Sequence, residues 1–128
     1  FIPFICQLDV VAMPAPMINI LNGGVHADNG LSVQEFMIVP QDMDTFEKAM
    51  EFGATVFHEL KKLLHANKKS TLVGDEGGFA PTLSDTQEAL DYITQAIAQA
   101  KKYCEGDATI AIDVAASQLY NPTTQRYT

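Results

Sequence analysis

The chain has 128 residues, of which 47% are hydrophobic and 19% charged, and its formal net charge is −8. This length corresponds to one ordinary domain, and the composition favours a packed core over a disordered chain. Eight Lys and Arg against sixteen Asp and Glu argue against nucleic acid or an anionic membrane as a partner. An anionic substrate remains open, because bound cations can reverse the local charge.

Residues 1–12 are predicted to be the end of a preceding region or a linker, and residues 13–128 to form a separate domain. The chain shows no signal peptide and no apolar run long enough to span a bilayer. Cys6 and Cys104 are the two cysteines and lie far apart, which indicates reduced thiols in a cytoplasmic protein more than a disulfide scaffold.

Two strands are predicted near the start of the second region. The apolar run Met17 to Leu21 follows prolines and ends at Asn-Gly-Gly, which indicates a buried strand and a sharp turn. A polar loop containing His26 leads to a second strand, "VQEFMIVP", that Pro40 should end. The short connection predicts that the second strand is antiparallel to the first.

A long amphipathic helix is predicted over residues 42–69, with Asp44 and Glu47 at its start. Gly53 interrupts the helix and indicates either a break or a close contact. A division into two helices there would return the chain to the correct rim for a parallel third strand.

The remaining segments predict alternating strands and helices. "STLVGDE" (70–76) reads as a short strand, followed by a loop and a helix over residues 84–104 with a capping box at Ser84 and Gln87. "ATIAIDVAAS" (108–117) reads as a fourth strand with Asp113 near its end.

This alternation predicts an α/β fold with a parallel sheet and right-handed crossovers. Chemistry in such folds lies at the carboxyl ends of the strands. Five polar side chains should therefore converge on one rim: His26, Gln34, Glu35, Glu76 and Asp113. Four strands are too few to close a parallel barrel, so the chain predicts half of one.

Each of these residues also has an ordinary explanation. Asp75 and Glu76 could be solvated acids at a glycine turn, although glycines also let the backbone approach a ligand. His26 alone could be a solvated loop residue. Glu35 interrupts an apolar strand and needs a partner, a cation or a proton. Strand alternation separates Gln34 from Glu35 unless the strand starts there or carries a bulge.

Four motifs, in this order and spacing, resemble the enolase family: "NGGVHADN", "QEFMIVP", "VGDEGGFAP" and "IAIDVAAS". The resemblance implies the first half of an enolase-type TIM-like barrel, with an antiparallel second strand followed by helices and βα units. It also implies a lyase of glycolysis and gluconeogenesis that reversibly dehydrates 2-phospho-D-glycerate to phosphoenolpyruvate with Mg²⁺.

The resemblance also implies roles for single residues. Glu76 corresponds to the proton donor, and Asp113 to the first of three carboxylates that hold magnesium. His26, Gln34 and Glu35 correspond to substrate-binding residues. The family's base lysine and its other two metal carboxylates belong to strands that would follow Thr128, so the isolated chain should be inactive.

The resemblance further implies a homodimer or larger assembly of a cytoplasmic protein, with a cell-surface or secreted pool as in some family members. One alternative is a non-catalytic structural or surface-binding protein on the same scaffold, and another is a different metal-dependent barrel enzyme that abstracts a proton beside a carboxylate. Loss of the base lysine or the remaining carboxylates would favour the non-catalytic alternative.

Overall fold

The computed structural model describes residues 13–27 and 29–127. The predicted linker over residues 1–12, with Cys6, lies outside the described residues. Within the described part, no helix has both the length and the apolar character needed to cross a membrane.

Three strands form the main sheet: β1 (Ile18–Asn22), β2 (Glu35–Gln41) and β3 (Asp107–Asp113). Their order is β1-β2-β3, and β2 runs antiparallel to both neighbours. The predicted antiparallel second strand is therefore confirmed. The prediction of parallel neighbours is wrong for these strands, because β2 separates β1 from β3, which point in the same direction.

The rest of the chain is helical or turn-like. A 3-10 turn (Gly24–His26) follows β1, and helices α1 (Phe46–Ala66) and α2 (Thr86–Ala100) connect β2 to β3. A short helix α3 (Ala116–Leu119) precedes a small hairpin of β4 (Tyr120–Asn121) and β5 (Arg126–Tyr127).

The helix α1 is continuous, so of the two alternatives predicted for Gly53 the break is wrong and the close contact is confirmed. Gly53 is buried inside α1, and a Cβ atom there would overlap the side chain of Ile18 on β1. Glycine therefore serves a close contact between helix and sheet. The contact brings the first half of α1 against β1 and Pro40, while Phe57 further along stacks on Phe79 at 4.2 Å between ring centroids.

The predicted strand over residues 70–76 is absent. This segment forms a turn with isolated bridges, in which Phe79 pairs with Leu21 and with Val73. The segment instead folds back on itself, because the Gly74 amide donates to the Gly78 carbonyl and the Ala80 amide to the Leu72 carbonyl, both at 2.8 Å. Only Phe79 pairs with β1.

The two faces of the sheet differ in chemistry. Alternation along β2 places Phe36 and Ile38, both fully buried, on the face that packs against α1 and α2. The opposite face carries Glu35 and the residues paired with it, Asn22 and Asp113. The core cluster contains seventeen buried residues: Ile20, Leu21, Leu31, Val33, Phe36, Ile38, Phe52, Val56, Leu60, Leu64, Phe79, Leu83, Ala89, Ile93, Ala96, Ile97 and Ala100.

Both long helices start at capping residues one position after the predicted ones. The Thr45 hydroxyl accepts from the Lys48 amide at 3.2 Å, and Asp85 Oδ1 accepts from the Glu88 amide at 2.8 Å. Glu88 in turn accepts from the Ser84 amide at 2.7 Å. The predicted capping box between Ser84 and Gln87 is therefore wrong, because Asp85 is the capping residue and Glu88 bonds to the residue before it.

Candidate functional site

Three polar residues line up at one edge of the sheet. In the pairing register, Asn22 at the end of β1 faces Glu35 at the start of β2, and Glu35 faces Asp113 at the end of β3. Directly opposed residues share a face of the sheet. The register therefore gathers the chain's strand-end polar residues on the face that the helices leave open.

The loop after β1 brings His26 to the same edge. Backbone hydrogen bonds from Gly23 to the Gln34 carbonyl (2.9 Å) and from Gly24 to the Leu31 carbonyl (2.8 Å) extend the β1–β2 pairing into this loop. The 3-10 turn then directs His26 back over Glu35. Its Nδ1 lies 3.6 Å from Glu35 Oε1, and about a fifth of each side chain is exposed.

Glu76 reaches the site from a tight turn. The Gly77 amide donates to the Gly74 carbonyl at 3.1 Å, which puts Asp75 and Glu76 at the tip of the turn. The turn is attached to β1, because the Asn22 amide donates to the Phe79 carbonyl (2.8 Å) and Phe79 donates to Ile20 (3.0 Å).

The glycines of this turn have separate structural causes. Gly77 has φ +81° and open space around it, so the left-handed backbone favours glycine there. A Cβ atom at Gly78 would lie 2.7 Å from the Leu21 nitrogen and would overlap the Asn22 side chain. Gly78 therefore lacks a side chain because β1 packs directly against it. The interpretation of both glycines as space for a ligand is wrong for Gly78.

His26, Glu35 and Glu76 form one cluster, which we call the rim cluster. One ligand atom from each of the three side chains lies within 4.8 Å of the other two. An imidazole nitrogen and two carboxylate oxygens at this spacing can surround a divalent cation. Two carboxylates brought this close also favour a bound cation, since it offsets their repulsion.

Asp113 and Gln34 lie beside the rim cluster and outside it. Asp113 is exposed, and its Oδ1 accepts a hydrogen bond from the Ala115 amide at 2.8 Å. Strand β2 starts at Glu35, so Gln34 precedes the strand; it lines a neighbouring cavity of about 570 Å³ with Gly24 and Gln118. Of the five residues predicted to converge, the structure brings three together and places two at the border.

The donor set is compatible with magnesium through its oxygens. Mg²⁺ prefers oxygen ligands, which Glu35, Glu76 and Asp113 can offer at this edge, whereas the His26 nitrogen suits softer divalent metals. Asn22 is fully buried at the same edge, and its side-chain amide has no hydrogen-bond partner among residues 13–27 and 29–127. The side-chain amide of Asn22 can therefore still form hydrogen bonds at this edge.

Sequence reasoning missed the two asparagines that organise this rim. Asn29 is buried and its Nδ2 donates both to the Asn22 carbonyl (2.8 Å) and to the Pro81 carbonyl (2.9 Å). One amide thus ties the loop that carries His26 to the segment that follows Glu76. The signal was present in "NGGVHADN", but asparagine next to glycine is also typical of an ordinary turn.

Two ion pairs and a helix start lower the pKa of three carboxyl groups. Hydrogen bonds from Lys48 lower the pKa of Asp44, and those from Lys101 lower that of Asp107. Hydrogen bonds from Ser84 lower the pKa of Glu88. Ionised carboxylates therefore stabilise these two ion pairs and the start of α2.

A comparison with protein families gives one match across nearly the whole chain. The family described as the C-terminal TIM barrel domain of enolase matches residues 10–128. This match agrees with the mixed α/β architecture, and it confirms the expectation of a partial barrel whose second strand is antiparallel.

Proposed function

Because the chain belongs to the family of enolase C-terminal TIM barrel domains, we propose that it is part of an enolase-type lyase. The proposed reaction is the reversible dehydration of 2-phospho-D-glycerate to phosphoenolpyruvate, a step of glycolysis and gluconeogenesis. The observation that carries the proposal is the rim cluster. His26 and Glu35 meet Glu76, which lies about 40 residues later in the chain, at the edge where β1 and β3 end. Barrel enzymes perform their chemistry at the carboxyl ends of strands.

Glu76 is the proposed proton donor. Its position at the tip of a turn lets the carboxyl group approach a substrate from outside the sheet. A proton passed from Glu76 to the departing hydroxyl group would release it as water, which is a much better leaving group than hydroxide. His26, Glu35 and Gln34 are the proposed substrate contacts, and His26 Nδ1 lies 3.6 Å from Glu35 Oε1.

Magnesium is the proposed cofactor, and Asp113 is its proposed ligand in this chain. When bound, Mg²⁺ supplies positive charge where the substrate accumulates negative charge. Asp113 lies opposite Glu35 in the register, so a carboxylate is available beside the rim cluster. The proposal extends to a cytoplasmic homodimer or larger assembly whose small-molecule partners are 2-phosphoglycerate and phosphoenolpyruvate.

The proton-donor role can be tested by Glu76→Gln in a catalytically competent protein that contains these residues. We expect kcat for dehydration to fall by about 10²–10⁴-fold, because general acid catalysis contributes that much. Exchange of the substrate's C2 proton with solvent should persist, since proton abstraction precedes the step that Glu76 assists. Substrate NMR in deuterium oxide and an absorbance assay measure the two steps.

Asp75→Asn is the matched control, because Asp75 lies in the same turn and, like Glu76, is exposed. This variant should retain most of the activity. Equal losses in the two variants would contradict the role assigned to Glu76. If the unmodified protein binds 2-phosphoglycerate but never dehydrates it, the alternative of a non-catalytic protein on this scaffold gains support.

A further inference from the structure

Positive charge is distributed very unevenly along this acidic chain. Four of the eight Lys and Arg residues fall within residues 58–73, where Glu59 is the one acid. The four are Lys61, Lys62, Lys68 and Lys69. The rest of the chain therefore combines four Lys and Arg residues with fifteen acids, so the overall charge of −8 conceals a local excess of positive charge.

Two of these lysines, Lys61 and Lys62, line an open groove of about 730 Å³, which we call the α1 groove. Together with His58 and His65 they form a wall of four exposed side chains of α1. The rest of the lining consists of Thr55 and Glu59 of α1 and of Thr71 and Tyr103 from segments outside it. None of these residues belongs to the rim cluster, so the groove is a separate feature of the surface.

The charges in the α1 groove are not equally available. Lys62 Nζ lies 2.6 Å from an oxygen of Glu59, which is nearly buried, so this pair largely neutralises itself. Lys61 is exposed and has no ion pair within the part of the chain that the structure describes. The groove therefore presents a free cation at Lys61, with two histidines on the same wall.

The groove also has an apolar component. Tyr103 is 69% exposed, and the ammonium group of Lys62 lies 5.9 Å from the centre of its ring. An aromatic ring and the methylene stem of Lys62 provide a surface on which a peptide side chain or backbone can pack. The volume is within the range of about 300–1,000 Å³ that ligand sites occupy.

We propose that the α1 groove binds a short acidic segment of a partner polypeptide. Its positive charge is complementary to Asp and Glu side chains, and its ring and stems complement the peptide between them. A long polyanion such as nucleic acid fits poorly, because the part of it outside the groove would lie near the acidic surface. At a distance of a few Debye lengths, each about 8 Å, the negative charges on the two molecules would repel each other. The proposal is independent of the lyase reaction.

The test uses the 128-residue chain and a fluorescein-labelled octaglutamate peptide, followed by fluorescence anisotropy. We expect binding at low ionic strength that weakens as salt approaches about 0.15 M, because salt screens exposed charges. A glycine–serine peptide of equal length should not bind. Absence of octaglutamate binding at low salt would overturn the proposal.

Lys61→Glu and Lys48→Glu are the matched variants, because both reverse one exposed charge on α1. Lys48 lies near the other end of the helix and does not line the groove. Lys61→Glu should weaken octaglutamate binding by about tenfold, since it turns an attraction into a repulsion at short range. Lys48→Glu should change it by no more than about twofold.

Three results would contradict the α1 groove as a peptide site. Equal losses in both variants would show that only the net charge matters. Tighter binding of a single-stranded oligonucleotide with eight phosphates would point to nucleic acid. Unchanged binding by both Lys61→Glu and the milder Lys61→Gln, with native circular dichroism, would place the peptide elsewhere.

Discussion

Gly77 and Gly78 are neighbours in the sequence, yet the structure requires glycine at each for a different reason. Gly77 has a positive φ and empty space around it, so only its backbone conformation favours glycine. Gly78 has no such φ, but it packs directly on the backbone of β1. At the scale of single residues, two adjacent glycines therefore satisfy two unrelated physical requirements.

This difference predicts unequal costs for two alanine substitutions. Gly77→Ala should lower the free energy of unfolding by about 1–2 kcal/mol, the cost of a left-handed L-residue. Gly78→Ala should cost about 1–3 kcal/mol from overpacking. It should also shift β1, because the new Cβ atom meets the backbone of that strand and the overlap is relieved only if the whole strand moves. Urea unfolding measures the loss of stability in both variants.

The displacement of β1 provides the second readout. Amide chemical shifts of Leu21 and Asn22 should change in Gly78→Ala and stay close to their original values in Gly77→Ala. Similar shifts in both variants would show that the turn conformation, and not the contact with β1, explains both glycines.

At the scale of elements, the start of α2 depends on a set of linked polar side chains. Asp85 caps the helix, and Glu88 accepts hydrogen bonds from the Ser84 amide (2.7 Å) and hydroxyl (2.9 Å). Lys69, just beyond α1, lies 3.2 Å from the other oxygen of Glu88. This arrangement fixes the helix start and joins it to the end of the preceding helix.

The pKa of Glu88 predicts how stability depends on pH. Hydrogen bonds from Ser84, followed by Lys69, lower this pKa below its ordinary value of 4.5. A lowered pKa in the folded state means that the stabilisation is complete above pH 4.5 and is lost as the pH falls through the folded-state value. Ionised Glu88 therefore stabilises the protein at neutral pH and ceases to do so in acid.

Glu88→Gln should reduce the decrease in the urea midpoint between pH 6 and pH 3, as measured by circular dichroism. The decrease should not vanish, because the pKa values of Asp44 and Asp107 are lowered too. If the variant and the original protein lose stability in parallel across this range, Glu88 does not contribute in the way its contacts indicate.

At the scale of the whole molecule, the sheet has an open edge. Strand β3 pairs with β2 on one side and with no other strand among the described residues, and Ile112 on it is 48% exposed. Unpaired strand edges that carry apolar residues promote association between chains. A barrel closes by pairing such edges, so this edge is where further strands of the family fold would add.

We expect the chain to self-associate as its concentration rises, and Ile112→Lys to reduce this association, because charge on an edge strand opposes pairing. Light scattering coupled to size exclusion measures the mass. Leu72→Lys is the matched control, since Leu72 is also an exposed apolar residue but lies outside the sheet. Equal effects of the two substitutions would show that general hydrophobicity, and not the β3 edge, drives association.

The whole molecule also determines whether the proposed reaction can proceed. The lysines with assigned ion pairs, Lys48, Lys62, Lys69 and Lys101, all contact acids outside the rim cluster. The resemblance to enolase assigns no base lysine and only one metal carboxylate, Asp113, to this chain, so we expect it to form no phosphoenolpyruvate from 2-phosphoglycerate and Mg²⁺ in an absorbance assay. Robust turnover would show that these 128 residues already contain a base.

The sequence determined the apolar face of α2 and named the three residues that meet in the rim cluster. For α1 the predicted apolar face was partly wrong, because Phe46 and Met50 are exposed while Phe52 and Val56 are buried. Hydrophobic periodicity and strand-end motifs are local, so they can be recognised without coordinates. The turn at residues 74–77 was mistaken for a strand because a short apolar run does not reveal whether a neighbouring strand is available to pair with it.

Only the tertiary structure decided which of those residues meet. The register places Asn22, Glu35 and Asp113 in one row, but Oδ1 of Asp113 bonds to Ala115 while Glu76 approaches Glu35 from a different segment. Asn29 bridges two loops that lie 52 residues apart in the chain. Such contacts depend on the packing of distant segments, and no local pattern in the sequence specifies them.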